Sequence, residues 1–189
     1  MHIKLMLVAI VVFASGCAFT PQTIKIEPKV DVKPSQIGAG RSVHLNVVDE
    51  RAKKTLGTVG AGVGADISVE GDLARTVQRT IADGLSKMQF KTTDQRVANR
   101  PELRVEVRNL DYAITRGFWS GSLRVDAGLK GICVRDMARL YEKLHHGEYA
   151  SGVQVVQGPE ANSQYINTAL SAAVNALLAD QELMACLSK

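Results

Sequence analysis

The sequence predicts an α+β fold: a mostly antiparallel sheet with two amphipathic helices packed on one face. Three observations carry this. Leu73, Val77, Ile81, Leu85 and Met88 recur at helical spacing, and Ile166, Leu170, Ala173, Val174, Leu177 and Leu178 form a second stripe near the end of the chain. Residues 102–151 instead alternate apolar and polar positions over three successive stretches, as a meander does. The order of strands, helix, strand, meander and helix buries both stripes on a single sheet face.

The elements follow in turn. Residues 23–32 alternate on Ile24, Ile26, Val30 and Val32, but Pro28 and Pro34 withhold ladder hydrogen bonds and limit this stretch to an edge strand or an extended arm. Residues 42–50 read as the first clear strand, with Val43, Leu45 and Val47 on one face, followed by a polar turn at 51–54. Residues 55–61 and 65–70 are short strand candidates. Asp72 caps the first helix, because its carboxylate can accept the free amide protons of the first turn. Gly84 inside that helix costs roughly 1 kcal/mol against alanine, and its small size suits a close neighbour. A short strand follows at 90–93 and a polar loop at 93–101. Over 102–115 the alternation shifts phase, from Leu103, Val105 and Val107 to Leu110, Tyr112 and Ile114, which predicts a bulge. Residues 121–135, a tight turn at Asp136 and Met137, and residues 138–151 complete the meander. In the last of these, Leu140 and Leu144 face one way, Tyr141 and Tyr149 the other. Pro159 opens the second helix, where its missing amide proton has no partner to lose. A break near Asp180 precedes Met184 and Leu187.

A composition of 46% hydrophobic and 22% charged residues excludes a disordered chain. A net charge of +4, dispersed along the sequence, gives no reason to expect a nucleic-acid partner. Much of the apolar excess sits at the start. Residues 1–4 are basic, residues 5–13 are unbroken hydrophobic, and Ala14, Ser15 and Gly16 lead to Cys17. That is the layout of a secretory signal peptide, far short of the ~20 apolar residues of a permanent span. Removal of residues 1–16, among which Lys4 is the only charged residue, leaves 173 residues with a charge of +3. The expected organisation is a cleaved signal at 1–16, a lipid-anchored tether and extended arm at 17–40, and one α+β domain at 41–189.

The small residues before Cys17 resemble a bacterial lipobox, with Ala14 where leucine is commoner. The resemblance implies diacylglycerol on the Cys17 thiol, cleavage before it and acylation of the new amine. Two or more chains anchor firmly where one does so marginally. Ala18, in place of the aspartate that favours inner-membrane retention, implies the outer membrane of a Gram-negative cell, facing the periplasm.

Further residues extend the likeness. The arm Thr23-Ile24-Lys25-Ile26-Glu27-Pro28, the strand Val47-Val48-Asp49-Glu50-Arg51, the Asp72-Leu73 helix start, the meander and a final Asn/Ala/Leu helix resemble the YajG family of outer-membrane lipoproteins. The Gly-rich stretch at 57–64 and the remaining cysteine pair depart from it. The family implies an envelope location and carries no established catalytic residues.

Cys133 and Cys186 are the two thiols left once Cys17 is acylated. In an oxidising compartment they either pair or stand as free thiols, and the sequence leaves both open. Pairing would stabilise the fold by roughly 4 kcal/mol in the chain-entropy model. Gly57, Gly60, Gly62 and Gly64 lack the lysine and following helix of a phosphate loop, so a flexible hairpin is the plainer reading, against a contact loop at a membrane or partner. His145 and His146 are adjacent on a strand and point to opposite faces, and His44 is the only other histidine of the mature chain; three convergent metal ligands are not evident. No Gly-x-Ser-x-Gly elbow is present, and Asp49, Glu50 and Asp66 show no acid/base spacing. No cofactor is expected. Phe118 and Trp119, between glycines at a hairpin tip, are a candidate partner contact, with a role as a core cap the plainer alternative.

The sequence therefore supports a non-enzymatic, lipid-anchored envelope protein that binds or assists other envelope proteins, with no oligomeric state indicated. Two other expectations stand beside it: a binder of peptidoglycan fragments or lipid, using the groove between helices and sheet, and a hydrolase whose site forms only in three dimensions.

Overall fold

The computed structural model describes residues 20–60, 64–116, 121–153 and 157–189. Two sheets share one core. Strands β1 (Gln22–Ile24), β4 (Asp66–Val69) and β3 (Gly57–Thr58) form a small sheet in the order β1-β4-β3. The main sheet has the order β5-β2-β6-β7-β8, built from β2 (Ser42–Asp49), β5 (Lys91–Thr93), β6 (Glu102–Arg116), β7 (Gly121–Arg135) and β8 (Ala138–Val153). Helices α1 (Leu73–Lys87), α2 (Pro159–Leu178) and α3 (Gln181–Leu187) cover one face of it.

The fold is α+β, with mixed sheets. β6, β7 and β8 pair antiparallel, but β2 runs parallel to both β5 and β6, and β1 runs parallel to β4. The cause is α1: it carries the chain back along the sheet, so β5 starts level with β2 and can only pair parallel. The last helical stretch is two helices. Asp180 ends α2 and its carboxylate accepts the amide protons of Glu182 and Leu183 to start α3. The strand expected at 55–61 shortens to Gly57–Thr58.

Alternation places Val43, Leu45, Leu103, Val105, Val107, Leu123, Val125, Leu129 and Cys133 under the helices, all buried. The phase shift in β6 is a bulge, with the register stepping between Val107 and Asn109. Beyond it Leu110 and Tyr112 return to the inner face. The outer face is solvated and laced by ion pairs, among them Arg104–Glu106 at 3.2 Å and Lys130–Glu142 at 2.9 Å. Asp72 accepts from Arg75 N and caps α1 as expected. Gly84 lies against Leu178 of α2 and Val30, where a side chain would collide. Gly147 of β8 seats α2 in the same way: a Cβ there would run into the Ala169 carbonyl oxygen and the Ala173 nitrogen.

Candidate functional site

The most constructed feature of the molecule is the seat of its N-terminal arm. From Ile24 to Val32 the even positions turn inward: Ile24 and Ile26 are buried, and Val30 and Val32 pack on the same core between α1 and α2. The odd positions present their backbone to α2. Glu27 N donates to Asn167 Oδ1 at 2.6 Å, Lys29 N to Ser171 Oγ at 2.8 Å and Asp31 N to Asn175 Oδ1 at 2.8 Å. In return Asn167 Nδ2 donates to Lys25 O, Asn175 Nδ2 to Lys29 O and Ser163 Oγ to Lys25 O. Four side chains at i, i+4 spacing thus replace a neighbouring strand. The periods match: four helical residues rise ~6.0 Å and two extended residues ~6.6 Å. Pro28 falls on an even position, where no ladder proton is asked of it.

A buried polar node fixes the start of this seat. Asn162, fully buried, donates to Gln22 Oε1 at 2.8 Å and to Gln157 O at 3.2 Å, and accepts from Tyr112 OH at 2.8 Å. The node ties the arm, the start of α2 and the sheet together. Burial pushes the Tyr112 phenol up, so it stays a neutral donor. Tyr149 and Tyr165 stack beside it at 4.6 Å between ring centroids.

The other end of the chain is fastened differently. Cys133 and Cys186 are joined as a disulfide between β7 and α3. Arg135 Nη2 donates to Cys186 O, and Tyr141 OH to Asp180 Oδ2 at 2.8 Å. His145 Nε2 lies 3.6 Å from the same carboxylate oxygen and Lys143 Nζ 3.5 Å from it. Burial pushes the His145 imidazole down and outweighs the pull of Asp180. Burial opposes ionisation of Asp180, but the Leu183 amide, Tyr141 and Lys143 outweigh it and hold that carboxyl low.

A family model described as "Uncharacterized lipoprotein" matches residues 28–188. The chain belongs to this lipoprotein family. No curated protein matches this lipoprotein significantly. Among solved structures it resembles a protein of the DUF330 family from Xanthomonas campestris, with 9% identity, a TM-score of 0.54, and coverage of 84% of this chain and 92% of that one. It also aligns with a putative neuraminyllactose-binding hemagglutinin homolog from Helicobacter pylori, at 7% identity, a TM-score of 0.48, and coverage of 86% and 97%. The first likeness shows a shared fold.

The remaining candidate residues of the lipoprotein do not converge. Cys17, Phe118 and Trp119 lie outside the described residues, as do Gly62 and the signal segment. His145 is buried on the inner face and His146 exposed on the outer one. His44 stands apart from both, its Nδ1 3.6 Å from Glu102 Oε2. No group of three His, Cys, Asp or Glu side chains able to hold a metal occurs among the described residues. Gly57 sits where a Cβ would strike the Tyr112 carbonyl, which accounts for one glycine of the rich stretch by packing. Asp49 of the Val-Val-Asp-Glu-Arg stretch receives Arg51 in a two-pronged pair at 2.9 and 3.0 Å, with Arg51 buried, and Lys54 Nζ at 3.1 Å. Burial pushes the Asp49 carboxyl up, but these hydrogen bonds outweigh it and hold it at about 2. The pair borders an open cavity of about 350 Å³ with Ser68 and Asp72, which contains no nucleophile–histidine pair. The arm occupies the space between α1 and α2. What sequence reading missed is the α2 ladder; its signal is the run Ser163, Asn167, Ser171, Asn175, polar at every fourth position beside an apolar stripe.

Proposed function

We propose that this lipoprotein is a non-enzymatic accessory or binding module of the YajG type, held to the periplasmic side of the outer membrane through acylated Cys17. The observation that carries the reading is the docked arm. The chain leaves the folded body at Gln22, five residues after Cys17, so the candidate lipid and the body are joined by a short tether and a fastened strap. Polar side chains of α2 spent on that fastening suit a protein that positions others. Ala18 supports the outer membrane as the destination by resemblance.

The test is direct. The mature protein should carry an acylated N-terminal Cys17 by mass spectrometry, and Cys17→Ser should leave the protein soluble or unprocessed; membrane association unaltered by the change would overturn the reading. Mild crosslinking of the acylated form should capture envelope proteins, and recovery of the chain alone would count against an accessory role. Trp119→Ala should reduce that capture while leaving thermal stability unchanged, if the aromatic pair Phe118 and Trp119 is the partner contact.

A further inference from the structure

Among the described residues β8 ends the order of the main sheet, and it is 16 residues long. An open edge of that length offers a row of backbone donors and acceptors to another strand. Both leucines on it are exposed, Leu140 at 54% and Leu144 at 42%. The outer face of the strand reads Arg139, Glu142, Leu144, His146 and Glu148, all exposed. The step from Glu142 to Arg139 follows from a bulge at Leu140, because Tyr141 pairs with Cys133 and Arg139 with Val134. Edge charges ordinarily guard a sheet against chance pairing. Here their signs reverse about Leu144: a cation and an anion stand before it, and a cation and an anion after it, in the same order.

We infer that β8 is the seam of a homodimer, in which two copies pair their β8 strands antiparallel about a two-fold axis through Leu144 and join their five-stranded sheets into one. In a two-fold pair each contact occurs twice, residue i on j and j on i. Glu142 then lies opposite His146 of the second copy, and Glu148 opposite Arg139 of the second copy. The two Leu144 side chains meet on the axis. Each carboxylate keeps its cation within the chain, Lys130 Nζ at 2.9 Å for Glu142 and Arg124 Nε at 3.3 Å for Glu148, so the seam extends a charge ladder already laid across β7 and β8. On the inner face Tyr141 comes opposite Gly147, and Lys143 opposite His145, which burial keeps neutral. Neighbouring registers fail, because like charges directly opposite destabilise a sheet. Centred on Lys143, the pair sets Lys143 against itself and Arg139 against His146. Centred on His145, it sets Glu142 against Glu148. Above the seam α2 crosses β8 at Gly147, and the small, exposed Ala172 and Ala176 on that stretch leave room for its copy. The axis stands perpendicular to the sheet, so the helices and N-terminal arms of both copies lie on one side.

Sedimentation equilibrium of the full chain in density-matched detergent tests this, and the chain should sediment as a reversible dimer. His146→Glu sets two carboxylates opposite each other at both symmetric rungs. The position is exposed, so the fold should stay intact while association weakens about tenfold; His146→Lys should preserve the dimer. Leu144→Cys should link two copies on mild oxidation. Ala150→Cys, also exposed, stands ~40 Å from its copy along the paired strands and should not. A single-chain mass at every concentration would overturn the inference and leave the edge to a strand of another protein. A dimer that tolerates His146→Glu, or one that links equally through both introduced cysteines, would overturn it as well.

Discussion

The two ends of the chain are both too short to fold alone, and they are fastened by opposite chemistry. The arm is held by neutral groups: buried Ile24 and Ile26, and a ladder of asparagine and serine side chains on its backbone. Helix α3 is held by a disulfide and by a partly ionic cluster, Asp180 with Tyr141, Lys143 and His145. A distributed ladder has no single weak point and no titratable member. A covalent and charged clasp is concentrated in a few atoms and answers to reductant and acid. The difference suits their positions: the arm is the part that would bear the pull of the proposed anchor at Cys17, and α3 closes the core against β7 and β8.

The comparison breaks most readily at the disulfide. Reduction, or Cys133→Ser with Cys186→Ser, should lower stability by about 4 kcal/mol, since the bond closes a loop of 53 residues. Urea denaturation measures it, with a mass gain of two hydrogens confirming the starting bond. An unshifted midpoint would show that the clasp carries no load. Next is Gly147→Ala, which strikes the α2 backbone on which both ends depend; ~3 kcal/mol is expected, with arm and α3 loosened together. The ladder comes third. Asn167→Ala/Asn175→Ala removes two rungs at ~1 kcal/mol each and should open the chain at Lys25 and Lys29 to trypsin while the amides of α3 keep their hydrogen-exchange protection. Unchanged cleavage would mean that Ile24 and Ile26 hold the arm without the ladder.

Much of this contrast was legible in the sequence, though unevenly. Helix α1, with its stripe and its Asp72 cap, is a local pattern and could be read residue by residue. So could the β6 bulge, because a bulge is a phase error in a period of two. The arm was legible as extended but not as docked: Ile24, Ile26, Val30 and Val32 show that one side is buried, and nothing local says against what. Its partner is some 140 residues away on α2, whose asparagines and serines read as an ordinary polar face. The parallel pairing of β2 was hidden for the same reason, since strand direction is set by the path of α1. The His145–Asp180 approach joins a strand to a helix break and has no sequence spacing at all.

Acid should sharpen the comparison with the smallest effect. His145 is neutral in the fold with its pKa pushed down, so below the unfolded value of about 6.5 the unfolded chain takes up a proton that the folded chain resists. Stability from this group is complete above that pH and declines as pH falls through the window beneath it. Asp180 is depressed as well, so its contribution is present above about 4 and is lost in stronger acid, in the same direction. His146, Lys143 and Tyr141 on β8 and Glu182 on α3 complete the charged and titratable groups around the pair. The ladder on the arm contains only amides and hydroxyls. Hydrogen exchange compared at pH 7 and pH 5, after correction for intrinsic rates, should therefore show α3 loosening while Glu27, Lys29 and Asp31 keep their protection. His145→Gln should remove most of the α3 response, because it takes away the group of the clasp whose protonation burial suppresses in the fold. Equal loosening of both ends would mean that the clasp and the ladder open as one unit, and the distinction between them would fail.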